Sequence, residues 1–114
     1  MNQEQKEKLT AWCNNLLATY QLDYFRGRAV WAILRTMEVG SNWNFHVTTQ
    51  YFQEAEQLGL EADMKNYTEL LRELREIAKE VPLSDTAQSV ITYVFGGEWQ
   101  EAIEALDKLK SEHN

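Results

Sequence analysis

The chain has 114 residues, a mass of 13.3 kDa and a net charge of −7. That is the length of one domain with one core. Hydrophobic residues are 44% and charged residues 25%, which disfavours disorder; one proline and five glycines disfavour a turn-rich β fold. A single cysteine excludes an internal disulfide and a cysteine-rich zinc site.

The first helix is expected over residues 3–20. Leu9, Trp12, Cys13, Leu16, Leu17 and Tyr20 recur at helical spacing and form one stripe. The second, about 23–39, is apolar on more than one side through Phe25, Ala29, Val30, Trp31, Ile33, Leu34 and Met37, which marks a central helix. It ends near Gly40-Ser41-Asn42. A third, about 46–58, puts Tyr51, Phe52, Ala55 and Leu58 on one face and stops at Gly59. A fourth, about 62–80, uses Met64, Tyr67, Leu70, Leu71, Leu74, Ile77 and Val81. Pro82 ends it by pushing Val81 out of the helical region. Ser84 or Asp85 caps a fifth, about 85–95, with Ala87, Val90, Ile91, Val94 and Phe95 inward. Its run Val90-Ile91-Thr92-Tyr93-Val94-Phe95 has strand propensity, but its neighbours favour helix. After Gly96-Gly97 a sixth, about 98–111, buries Trp99, Ala102, Ile103, Leu106 and Leu109. The fold class is therefore all-α: one compact domain, residues 1–114, of five or six antiparallel helices.

Tyr67-x-x-Leu70-Leu71-x-x-Leu74-x-x-Ile77 matches Trp99-x-x-Ala102-Ile103-x-x-Leu106-x-x-Leu109 at an offset of 32 residues. Each copy follows a shorter helical segment, so each is a candidate helical hairpin. The piece Tyr93-x-x-x-Gly97-Glu98-Trp99-Gln100-Glu101-Ala102-Ile103 resembles the middle of a tetratricopeptide repeat. The resemblance implies TPR-like helical hairpins in the C-terminal half. Val90 stands where that family has a small residue. One and a half units also fall short of the roughly three that a solenoid needs, so two ordinary antiparallel helix pairs account for the pattern as well.

The longest apolar run, Ala29 to Leu34, spans about 9 Å as helix, far short of a bilayer. The first residues have no basic stretch followed by an apolar one, so no signal peptide is read. With a lone thiol, the expectation is a cytoplasmic protein without membrane contact. Charge is uneven. Residues 1–57 balance to −1 and residues 58–114 to −6. An acidic half suits a basic protein surface and repels nucleic-acid backbones.

Candidate chemistry is sparse. His46, His113 and Cys13 share no helical turn, so no metal site is read. Glu69, Glu73, Glu76 and Glu80 interleave with Arg72, Arg75 and Lys79, the pattern of a solvated helix face. Cys13 sits in an apolar stripe, unlike a reactive thiol. The serines lack a nucleophile motif, and Gly96-Gly97 lacks a phosphate-binding loop. Catalysis and cofactors are therefore not expected.

Tyr24, Arg28, Trp31, Arg35 and Glu38 advance by 4, 3, 4 and 3 along the second helix and share one face. Arginine and tryptophan are enriched at binding hot spots. This is either a docking face or an internal one, with the arginines paired to acids of the last three helices and Trp31 packed inside. Trp43 and Phe45 in a polar link either staple back on neighbouring helices or join a contact site. The partner-binding residues expected are Tyr24, Arg28, Trp31, Arg35 and Trp43, with Glu98, Glu101 and Glu104 on the acidic side. The function expected is non-enzymatic protein binding: a small inhibitor of immunity-protein or antitoxin type, or an adaptor, facing a basic protein partner. The alternative is a helical nucleic-acid-associated regulator using Arg26, Arg28 and Arg35. The stretch from Val47 to Leu60 and the helix after it resemble a helix-turn-helix, but Glu61, Asp63, Glu69 and Glu73 give it the wrong charge. Four tryptophans leave a homo-oligomer, self-associating through an aromatic face, open.

Overall fold

The computed structural model describes residues 2–39 and 45–112. Those residues form six helices and no strand: α1 (Gln3–Tyr20), α2 (Tyr24–Val39), α3 (Phe45–Leu58), α4 (Met64–Glu80), α5 (Asp85–Phe95) and α6 (Trp99–Glu112). The expected all-α class and the six expected segments are present. Trp43 and His113 lie outside the described residues.

The helix ends follow from local chemistry. Asn2 and Gln5 form a reciprocal capping box ahead of α1. The Asp23 carboxylate accepts from the Arg26 backbone N–H at 2.8 Å and opens α2. Ser84 accepts from the Ala87 N–H and opens α5. Val81 is extended (φ −127, ψ 152) immediately before Pro82, as proline requires of its predecessor.

The helices pack as two layers of three. In the first, α2 lies between α1 and α3. In the second, α5 lies between α4 and α6. The layers meet pairwise, α1 on α4, α2 on α5 and α3 on α6. The globule measures 38 × 32 × 20 Å, and the short dimension is the thickness of two helices. The central position of α2 accounts for its broad apolar surface. The same position in the second layer explains α5. Ala87, Val90, Ile91, Val94 and Phe95 are all fully buried, so packing outweighs the strand propensity of the run.

Two sequence expectations are corrected. First, α3 and α4 do not pack on each other among the described residues; α3 packs on α6. Of the two hairpins read from the 32-residue offset only α5–α6 forms. The shared pattern has another cause: α4 and α6 both flank α5, and Leu70, Leu74, Ile77 match Ala102, Leu106, Leu109 as buried positions. Second, the inner face of α3 is Phe45, Thr48, Phe52 and Ala55. Tyr51 sits half-buried on its flank and Leu58 is 67% exposed. Met64 is likewise exposed at the start of α4.

The crossover from the first layer to the second, residues 59–63, is tied down by side chains from both. The Trp99 indole N–H donates to the Leu60 carbonyl at 2.9 Å. The Asp63 N–H donates to the Phe95 carbonyl at 2.7 Å. Arg26, buried on α2, pairs with Asp23, donates to the Glu61 carbonyl and stacks over Trp99 at 5.3 Å. Phe52 packs on the same indole. Gly97 turns α5 into α6 with φ +71, and a Cβ there would lie 2.8 Å from the Ala62 nitrogen. Only glycine meets both demands.

Candidate functional site

Those of the expected partner-binding residues that are described divide between opposite sides of the molecule. Tyr24, Arg28, Trp31 and Arg35 run along the outer side of α2, at the centre of the first layer. Tyr24 is 59% exposed and Trp31 39%, and both arginines are half-buried. Trp31 therefore does not pack inside. The stripe is framed by α3: Tyr51 meets Tyr24 edge-on at 5.3 Å, and the Arg28 guanidinium lies 5.3 Å above the Tyr51 ring. Hydrogen bonding with Tyr51, and then desolvation, raise the Tyr24 hydroxyl above its ordinary pKa. Phe25 closes the cluster against Tyr24.

Arg26 does not belong to this face. Residues i and i+2 point about 200° apart on a helix. That turn sends Arg26 into the crossover, where it is 4% exposed. The basic surface assembled from Arg26, Arg28 and Arg35 for the nucleic-acid alternative therefore does not exist as one face.

The acidic residues lie in the second layer. A groove of about 300 Å³ runs between α5 and α6, lined by Asp85, Thr86, Ser89 and Tyr93 on one side and Glu101, Glu104, Ala105 and Lys108 on the other. Glu101 and Glu104 are one turn apart on α6, and Asp85 comes from the first turn of α5. Among the described residues no base forms an ion pair with any of these three carboxylates. Glu98 is exposed one turn earlier, outside the groove lining. In the sequence Asp85 is legible only as a helix cap and Tyr93 only as a packing aromatic. The signal that flags them is the α5–α6 pairing itself, since both fall on the side of α5 that faces the α6 glutamates.

A second, smaller groove of about 190 Å³ separates α1 from α4, with Trp12, Arg72, Glu73, Glu76, Ile77 and Glu80 around it. Arg72 pairs with Glu69 at 2.7 Å and Lys79 with Glu76 at 3.3 Å, the solvated ladder expected of α4. Burial first, and then the Glu73 carboxylate, raise the Tyr20 hydroxyl nearby. Among the described residues no group of three or more His, Cys, Asp and Glu could hold a metal ion. No helix among them is long and apolar enough to cross a membrane. Cys13 is buried in the core and His46 is exposed beside Gln50. No protein-family model, curated protein or solved structure matches the chain.

Proposed function

We propose that this chain is a non-enzymatic, cytoplasmic protein-binding protein, and that the α5–α6 groove takes a basic segment of its protein partner. A small inhibitor of immunity-protein or antitoxin type, or an adaptor, would work in this way. One observation carries the reading: Asp85, Glu101 and Glu104 line one groove from two helices, with Lys108 its one base, in the half of the chain that holds six of the seven net negative charges.

The physical basis is electrostatic steering with a shaped target. Carboxylates on both walls of a groove add their potentials and attract Lys and Arg side chains from a distance. Tyr93 and Ala105 supply the apolar surface on which the stem of a lysine or the plane of an arginine can rest.

The test begins with a tagged pull-down from the source cytoplasm, with and without nuclease. A stoichiometric protein partner that survives nuclease is expected. Contacts that vanish with nuclease would instead promote the nucleic-acid reading. On the captured partner, the double reversal Glu101→Lys with Glu104→Lys should weaken binding about 10- to 100-fold and flatten its salt dependence. Unchanged affinity and unchanged salt dependence would remove the groove from the interface.

A further inference from the structure

The outer stripe of α2 is self-complementary. Tyr24, Arg28, Trp31 and Arg35 alternate aromatic, arginine, aromatic, arginine, at steps of 4, 3 and 4. The steps are those of the a and d positions along a coiled-coil seam, with arginine at every second place. A two-fold axis midway between residues 29 and 30 exchanges position 24 with 35 and position 28 with 31. Laid antiparallel on a copy of itself, α2 therefore sets Arg28 against Trp31 of the other copy and Arg35 against Tyr24. All four contacts join a guanidinium to an aromatic ring, and each residue meets the residue that meets it, as an isologous interface demands. A parallel pairing would set arginine against arginine, so the pattern also selects the orientation.

We infer that the chain forms a two-fold dimer through the outer faces of α2, with the occupant of that face a second copy of this chain. Three further observations agree. Tyr24 and Trp31 are two of the four exposed large hydrophobics among the described residues, and both lie on this stripe. The stripe runs down the middle helix of the 38 × 32 Å face, where an interface core has to be. The 38 × 32 Å face is about 1,200 Å² in projection, which leaves room for the roughly 800 Å² per partner that a stable interface covers. Charge favours this side over the acidic one. The first half of the chain balances to −1 and the second to −6, so a dimer through α2 keeps the acidic layers apart. The dimer leaves both acidic grooves pointing outward, which gives a bivalent molecule.

The experiment is sedimentation velocity on the full chain from about 1 to 200 µM, at low and at moderate salt. A reversible monomer–dimer equilibrium is expected within that range, no weaker at moderate salt, because salt screens the repulsion between the acidic layers. Trp31→Arg sets arginine against arginine and should raise the dimer dissociation constant at least about 30-fold. The exchange Arg28→Trp with Trp31→Arg restores the pairing and should return it to within about fivefold of the parent. The end pair offers a second exchange, Tyr24→Arg with Arg35→Tyr, should the first not fold by circular dichroism. A chain that stays monomeric throughout overturns the inference. So does a Trp31→Arg variant that dimerises like the parent, or a folded exchange variant that stays monomeric. Open-ended oligomers that dissolve with salt would also overturn it, because the arginine face would then be meeting the acidic groove of another copy.

Discussion

Arg26 and Arg28 stand two residues apart on one helix, and each guanidinium lies 5.3 Å from the centre of an aromatic ring. By that distance they are the same interaction. Their surroundings make them different. Arg26 is buried at the crossover between layers, with a carboxylate from Asp23 and the Glu61 carbonyl as acceptors, and its ring, Trp99, is itself buried and hydrogen-bonded. Arg28 is half-buried over Tyr51 beside two exposed aromatics. The first stack is part of how the chain passes from one layer to the other. The second belongs to the half-buried outer stripe of α2. An arginine–aromatic pair read from sequence therefore does not reveal its role; burial and acceptors decide it.

Truncating the two rings should separate the regions most clearly. Trp99→Ala removes a buried indole that touches Phe52, Arg26 and the Leu60 carbonyl, and should cost about 3–5 kcal/mol in urea unfolding. Trp31→Ala should cost less, about 1–2 kcal/mol, because the ring is 39% exposed. Equal losses would show that the two rings are held alike. The arginines come next. Arg26→Ala strands the Glu61 carbonyl and half of the Asp23 pairing, for a loss of about 2–4 kcal/mol. Arg28→Ala should lose less than about 1 kcal/mol and act on dimerisation instead. Gly97→Ala follows at about 2 kcal/mol, from the left-handed backbone and the approach to Ala62. Its effect should be read by hydrogen exchange at residues 59–63, the segment that a displaced turn would loosen first.

Much of the fold is legible in the sequence because each helix announces itself. Spacing in α1, α5 and α6 names the buried stripes, and Ser84 and Pro82 mark ends by chemistry local to them, whereas the caps at Asn2 and Asp23 are seen only in the structure. The broad apolar surface of α2 correctly reads as central. What spacing does not supply is the pairing of helices. Tyr67 to Ile77 and Trp99 to Leu109 look like two copies of a hairpin because both helices flank α5, yet of the two expected hairpins only α5–α6 forms. The candidate site shows the same division. The α2 stripe is a property of one helix and is visible as such, down to its spacing. The acidic groove needs α5 laid against α6, so sequence points to Glu101 and Glu104 and passes over Asp85. Grouping the basic residues by sequence proximity puts Arg26 on the wrong face, whereas a step of two crosses to the opposite side of a helix.

Gly27, between the two arginines, gives the one expected gain and the sharpest reading of α2. It faces neither the crossover nor the open stripe. It faces α1, where an added Cβ would sit 3.6 Å from the Leu17 methyl, an ordinary contact. Its backbone is helical, without a positive φ. The close approach of α1 to α2 therefore does not depend on glycine here. Gly27→Ala should stabilise the chain by about 0.5–1 kcal/mol, through helix propensity and a less disordered unfolded state. Residues 26, 27 and 28 then give three signs of effect on three sides of one turn: a large loss, a small gain and little change. A loss at Gly27 would mean that α1 sits closer to α2 than this packing has it. The stripe at the centre of the first layer would then be narrower than the two-fold pairing of α2 requires.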